Sequence, residues 1–208
     1  GGIAWLMSSS GLPVRVKDIE WEGIAKGYEK ARDYYDQLIK IRKLKPSEAN
    51  IKMHKITGTT DFSGFKNLDL IVEAIVENME IKKTALLELE DHVKPEAMIC
   101  SNTSSLSISE MCADMKHPER FVGMHFFNPV NRMPLIEIIP GEKTSPEIIA
   151  QAVAFAKSLG KTPVVVKNSP GFLVNRILLP YVNEAILMLE EGIDLERIDK
   201  LIFDFGMP

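Results

Sequence analysis

The sequence predicts an α/β fold: a doubly wound, largely parallel sheet followed by part of an all-helical unit. Three observations carry this. Short apolar runs such as AMICS and PLIEII alternate with helical patterns as far as Ser169. The runs are apolar at consecutive positions, as in strands covered on both faces. After NSPGF only helical pattern follows. With 208 residues, 45% of them hydrophobic and 26% charged, the chain can build one full core and part of another.

The elements follow in order. GGIAWLMSSSG reads as a helix with Gly11 as its C-terminal stop. LPVRVKD, Leu12 to Asp18, alternates two valines and ends on a charge, which predicts a short strand running into a loop. Charged helical patterns fill Trp21 to Lys43, and Pro46 to His54 predicts a short helix before the strand-like KITGTT. LDLIVEAIV, Leu68 to Val76, predicts a buried strand, followed by the helix MEIKKTALLELEDHV, which Pro95 ends. AMICS is the next strand, and SISE, Ser107 to Glu110, is a capping box opening a short helix. RFVGMHFF and PLIEIIP are further strands, SPEIIAQAVAFAKSLG is a helix closed by Gly160, and TPVVVK is the last strand. Leu173 to Glu191 then forms one long helical pattern with Pro170 near its first turn, and Asp194 to Phe205 forms a second. A boundary near Ser169 divides the chain into residues 1–169 and 170–208.

Charge and composition narrow the functions. A net charge of −4 offers no basic field for nucleic acid or an anionic membrane. Cys100 and Cys112 are too few for a disulfide framework, and neither joins histidines or cysteines at zinc spacing, so no metal site is expected and a reducing compartment fits best. No apolar run approaches the roughly 20 residues needed to cross a bilayer. The opening GGIAWLMSSSG lacks the basic start of a secretory leader, so secretion is not expected.

Several polar residues stand where a doubly wound fold binds ligands, at the carboxyl ends of strands. Asp18 ends the second element, where a dinucleotide fold uses an acid to bind the adenosine ribose; it also reads as an ordinary loop aspartate. An acid facing the ribose repels a 2′-phosphate and so favours NAD over NADP, a preference that Arg15 and Lys17 leave open. Glu77 and Lys82 overlook the same crevice, or form a solvated pair on a helix. SNTSS, Ser101 to Ser105, reads as a capping turn, but Ser107 and Glu110 beyond it already explain a helix cap, which leaves Asn102 and Ser104 free to meet a ligand. His125 and Glu137 sit in apolar strands joined through Asn128, Pro129 and Asn131, and side-by-side strands can set one against the other. A carboxylate on one ring nitrogen leaves the other free as a base; a purely structural pair is the other reading. Asn175, near the start of the first long helix, either satisfies local backbone near Pro180 or points across the junction of the two units.

SNTSSLSI, GMHFFNPV with the following PLIEII, and NSPGFLVNR, in this order and spacing, resemble the L-3-hydroxyacyl-CoA dehydrogenases, in particular the dehydrogenase part of multifunctional fatty-acid oxidation proteins. The resemblance runs over essentially the whole chain. It implies a Rossmann-like domain followed by a mostly helical one that closes over the substrate and often mediates dimerisation. It implies NAD as cofactor, an acyl-CoA substrate, and as partner a second copy or other domains of a multifunctional protein. By the same route His125 is the catalytic base and Glu137 its partner, while Ser104 and Asn175 bind the reacting oxygen. Asp18, Glu77, Lys82, Asn102, Ser104 and Asn128 become cofactor contacts. The compartment would be cytoplasmic in a bacterium, and peroxisomal or mitochondrial in a eukaryote. The family's first strand and glycine fingerprint, GxGxxG, would precede Gly1, and its helical domain would continue past Pro208. Two rival expectations are a non-catalytic fragment or assembly module that retains the fold, and a related dehydrogenase of small hydroxy acids. The second usually uses a lysine as acid-base, whereas His125 and Glu137 stand here.

Overall fold

The computed structural model describes residues 1–207, so Pro208, the last residue of the expected second unit, lies outside the described residues. Helix α1 (Gly2–Ser9), strand β1 (Val14–Lys17), helices α2 (Trp21–Lys40) and α3 (Pro46–Met53) and strand β2 (Ile56–Thr59) come first. They are followed by β3 (Leu70–Glu73), α4 (Met79–Glu90), β4 (Met98–Ser101), α5 (Ile108–Met111), β5 (Phe121–Phe126), β6 (Leu135–Pro140), α6 (Pro146–Ser158) and β7 (Thr162–Val165). Two helices, α7 (Val174–Glu190) and α8 (Leu195–Asp204), complete the chain.

β1 and β2 form a parallel pair of their own, and the other five strands form a sheet in the order β3-β4-β5-β6-β7. Every pairing is parallel except β5 with β6, so the expected largely parallel sheet contains one antiparallel turn of direction. That exception lets the chain pass directly from β5 to β6 without a crossover helix, and it sets His125 opposite Glu137 in register.

Strand alternation divides the core between the two faces of the sheet. Met98, Cys100, Val122, Met124, Phe126, Ile136 and Ile138 turn to the face that packs with residues of α1, α2, α3 and α6. Ile99, Phe121 and Ile139 turn to the other face, with Leu86, Ile108 and Phe172. By the same parity His125 and Glu137 fall on this second face, at the end of the strands nearest α7. Gly123 lets α5 approach there: a Cβ at this position would lie 2.9 Å from both Ile108 Cδ1 and Ile139 Cβ. Gly123→Ala is therefore expected to lower stability by about 1–3 kcal/mol through overpacking, read as a fall in the thermal unfolding midpoint; an unchanged midpoint would contradict this close approach.

The helix stops follow the sequence reading at Gly11 and Gly160, both with positive φ. At Gly160 the chain turns so that the Lys161 N–H reaches the Ala156 carbonyl at 3.1 Å, closing α6. Two expectations are corrected. LDLIVEAIV is a strand only to Glu73, because the Glu73 carboxylate accepts the Ile75 N–H at 2.7 Å and turns the chain out of the sheet. The helix over MEIKKTALLELEDHV ends at Glu90, before Pro95 is reached. The helical pattern expected over Leu173 to Glu191, with Pro170 near its first turn, is α7: Gly171 and Phe172 have positive φ, and Leu173 is its N-cap.

α8 folds back against α7, yet α7 buries none of its residues and α8 only Ile198. Ile177, Leu179, Leu201 and Phe203 stand exposed. No helix among the described residues is long and apolar enough to cross a membrane.

Candidate active site

The carboxyl ends of β3 and β4, the end of β5 and the start of α7 enclose a cleft of about 330 Å³. It is lined by Ala74, Ile75, Glu77, Asn102, Ser104, His125, Phe126, Phe127, Asn128 and Asn175. Six residues singled out from sequence therefore meet at one place: Glu77, Asn102, Ser104, His125, Asn128 and Asn175.

Behind the cleft wall, Glu137 is fully buried. Its Oε2 lies 2.8 Å from His125 Nδ1. Its Oε1 accepts the N–H groups of Leu173 and Val174, at 3.0 and 2.9 Å, which are the first donors of α7. Both oxygens of this carboxylate are thus hydrogen-bonded, which is how a charge is held in a dry interior. One side chain ties the imidazole to the helix that opens the second unit. Phe127 and Phe172 pack against the His125 ring, with centroids 4.4 and 5.9 Å away. Nε2 makes no hydrogen bond among the described residues.

On the opposite wall Glu77 Oε1 accepts the Thr103 hydroxyl at 2.6 Å and the Ser104 N–H at 3.0 Å, with Ser104 Oγ at 3.3 Å. Among the described residues its Oε2 has only Lys82 Nζ, 3.5 Å away. Desolvation pushes the Glu77 carboxyl up, but the hydrogen bonds from Thr103 and Ser104 and the charge of Lys82 outweigh it and hold the group below the usual carboxylate range. A depressed folded pKa contributes stability that is complete above the ordinary value of 4.5 and is lost as pH falls through the folded pKa. The unfolding midpoint of the unaltered protein should accordingly exceed that of Glu77→Gln above that pH, with the gap closing on acidification. A gap that stays constant into strong acid would contradict the assignment.

Asn102 uses its Oδ1 on the Phe126 N–H at 2.9 Å, so its Nδ2 is the group left to face the cleft. Asn175 donates its Nδ2 to the Ser104 carbonyl at 3.2 Å, joining α7 to the loop after β4. It therefore reaches across the junction instead of satisfying its own helix.

Two sequence-predicted residues lie elsewhere. Asp18 follows β1 in the neighbouring two-stranded sheet, with Oδ1 3.4 Å from the Glu20 N–H. Its carboxylate lies over the first turn of α2, where a Cβ at Gly23 would come within 2.3 Å of Oδ2. Lys82 is only 1% exposed, and its ammonium is turned inward to Glu73 at 2.7 Å, the Ile75 carbonyl at 3.3 Å and Glu77. Lys82, expected as a cofactor contact, thus has partners inside the protein for all three ammonium protons. Sequence reasoning missed Glu73, Ser101 and Thr103, which complete that network; the only signal was an acid closing the apolar run LIVE.

Residues 1–169 match the family model for the NAD binding domain of 3-hydroxyacyl-CoA dehydrogenase, and residues 171–208 match that for its C-terminal domain. The chain belongs to the 3-hydroxyacyl-CoA dehydrogenase family. Solved structures agree. The (S)-3-hydroxybutyryl-CoA dehydrogenase PaaH1 from Ralstonia eutropha is 40% identical with a TM-score of 0.95, over all of this chain and 74% of that one. The 3-hydroxybutyryl-CoA dehydrogenase from Escherichia coli K12 is 34% identical with a TM-score of 0.88, over 93% of this chain and 41% of that one. The dehydrogenase part of multifunctional enzyme 1 from C. elegans is 29% identical with a TM-score of 0.74, over 99% of this chain and 47% of that one. The chain thus spans less than half the length of the last two. Membership of the 3-hydroxyacyl-CoA dehydrogenase family makes the first unit an NAD-binding, Rossmann-like domain and the second a helical one.

Proposed function

We propose that the protein oxidises the 3-hydroxyl of an L-3-hydroxyacyl-CoA to a ketone with NAD, as a step of fatty-acid β-oxidation. The observation that supports this most is the His125–Glu137 pair on the cleft wall, with Nδ1 engaged and Nε2 free. Such a pair is acid-base machinery that needs no nucleophile or metal ligand.

The residues fit a dinucleotide. Glu77 Oε2 is an acceptor-only group suited to ribose hydroxyls, and Asn102 Nδ2 and Asn128 supply amide groups beside it. Asp18, at the end of the adjacent β1, suits the adenosine ribose. Bound NAD would supply the hydride acceptor, the part of the chemistry that no side chain can provide.

The proton falls to His125, whose Nε2 takes it from the 3-hydroxyl as hydride departs from the same carbon. Positive charge then develops on the ring, and Glu137 stabilises it without rearranging because three hydrogen bonds already fix the carboxylate. Preorganised groups of this kind are commonly worth about 2.7–4 kcal/mol of barrier. Ser104 and Asn175, linked to each other, flank the position of the reacting oxygen and orient it. Phe127 and Phe172 keep water from the imidazole. A lysine-based hydroxy-acid mechanism is disfavoured, since Lys82 is spent on Glu73 and Glu77.

The two units are read as residues 1–169 and 170–208, with the acyl-CoA between them. The exposed apolar faces of α7 and α8 are where a second copy or a further domain of a multifunctional protein would pack. Mixing the protein with acetoacetyl-CoA and NADH tests the activity: NADH absorbance should fall only when both are present. Binding of NADH without any such loss would favour the non-catalytic reading instead.

A further inference from the structure

We propose that Glu73 is a positioning residue of this cleft, setting Glu77 and Ser104 from behind through Lys82 and Ser101; the inference rests on the NAD site read above. Glu73 closes β3, and its side chain is 5% exposed. A carboxylate buried at a strand end is costly, and an apolar residue would pack there more simply. Its connections give it a purpose.

One arm runs through Lys82. The ammonium is 2.7 Å from Glu73 Oε1 but 3.5 Å from Glu77 Oε2. Glu73 therefore holds the cation closer than Glu77 does, and Glu77 Oε2 keeps its capacity for a ligand hydroxyl. Removal of the Glu73 charge would leave Glu77 as the single carboxylate within reach of the ammonium and draw Oε2 back from the cleft.

The other arm runs through Ser101. Its hydroxyl donates to Glu73 Oε2 at 2.5 Å and accepts the Thr103 N–H at 3.2 Å. Thr103 Oγ1 in turn donates to Glu77 Oε1, the oxygen that also takes the Ser104 N–H. The Asn102 N–H is fixed by the Glu73 carbonyl at 2.8 Å. Both arms close on Glu77, so a ring of hydrogen bonds starting from one hidden acid ends on the group that faces the ligand.

The test compares Glu73→Gln, Lys82→Met and the double variant by NADH fluorescence titration, steady-state rates and thermal unfolding. Glutamine keeps the size of the side chain and its acceptor oxygen. Glu73→Gln should weaken NADH binding about tenfold, an ordinary coupling within one hydrogen-bonded network, while kcat at saturating NADH changes much less. The double variant should bind no more weakly than the poorer single one. If Glu73→Gln binds NADH normally and only melts earlier, or if the two losses add, the proposal is overturned. Should Glu73→Gln not fold, Ser101→Ala, which cuts the second arm alone, must weaken NADH binding; unchanged affinity there overturns it equally. Absence of NADH binding by the unaltered protein would instead refute the functional reading beneath it.

Discussion

His125→Asn is expected to leave the fold and NADH binding in place while lowering the rate of 3-hydroxyacyl-CoA oxidation by about 10²- to 10⁴-fold, the usual worth of a positioned general base. The ring contributes two things: Nδ1 engages Glu137, and Nε2 faces the cleft. An asparagine amide can take over the first, so the buried carboxylate is not orphaned and the strand pair need not rearrange. It cannot take over the second, because an amide is not a base at neutral pH. Rate loss with an unchanged NADH dissociation constant and an unchanged melting temperature is the signature, measured by stopped-flow absorbance, titration and calorimetry on one preparation. Near-normal rates in this variant would remove the base assignment altogether.

Glu137→Gln is expected to cost about 10²- to 10³-fold in rate, comparable with removal of a preorganised charge-stabilising group. The geometry makes the reason specific. Oε1 must accept from the Leu173 and Val174 N–H groups, so the amide oxygen of glutamine has to occupy that position. The amide NH₂ is then forced to face His125 Nδ1. Nδ1 must become an acceptor, the ring proton moves to Nε2, and the atom that should accept the hydroxyl proton already carries one. The fold is retained because every hydrogen bond is still made. Glu137→Ala is a different case: it strands the Leu173 and Val174 donors at the start of α7, at about 1–3 kcal/mol for each buried unsatisfied group. Its melting temperature should fall, whereas that of Glu137→Gln should hold.

Much of this arrangement was legible in the sequence, for reasons visible in particular residues. The apolar runs of β4, β5 and β6 are buried without exception across their central positions, so the doubly wound reading had a strong signal. The pairing of His125 with Glu137 follows from strand parity and a direct connection between two strands, both of which are local features. What escaped lay in contacts between distant segments. LDLIVEAIV reads as a single strand because Ala74, Ile75 and Val76 are apolar, yet they leave the sheet, and Ala74 and Ile75 line the cleft, since Glu73 turns the backbone there. The burial of Lys82 depends on Glu73, nine residues earlier at the last position of β3, and no local pattern announces that pair. The start of α7 is legible to within a residue, whereas the positive φ of Phe172 just before it has no sequence signature. The second role of Glu137, holding the first N–H groups of α7, required the tertiary structure.

The proposed proton transfer depends on which ring nitrogen of His125 carries the proton. With ¹⁵N in the imidazoles of the four histidines, and the His125 signals identified by their loss in His125→Asn, the tautomer can be read directly from nitrogen chemical shifts. The neutral ring is predicted to be protonated at Nδ1, toward Glu137, with Nε2 bare, and to reverse in Glu137→Gln. A neutral ring protonated at Nε2 in the unaltered protein would contradict the mechanism.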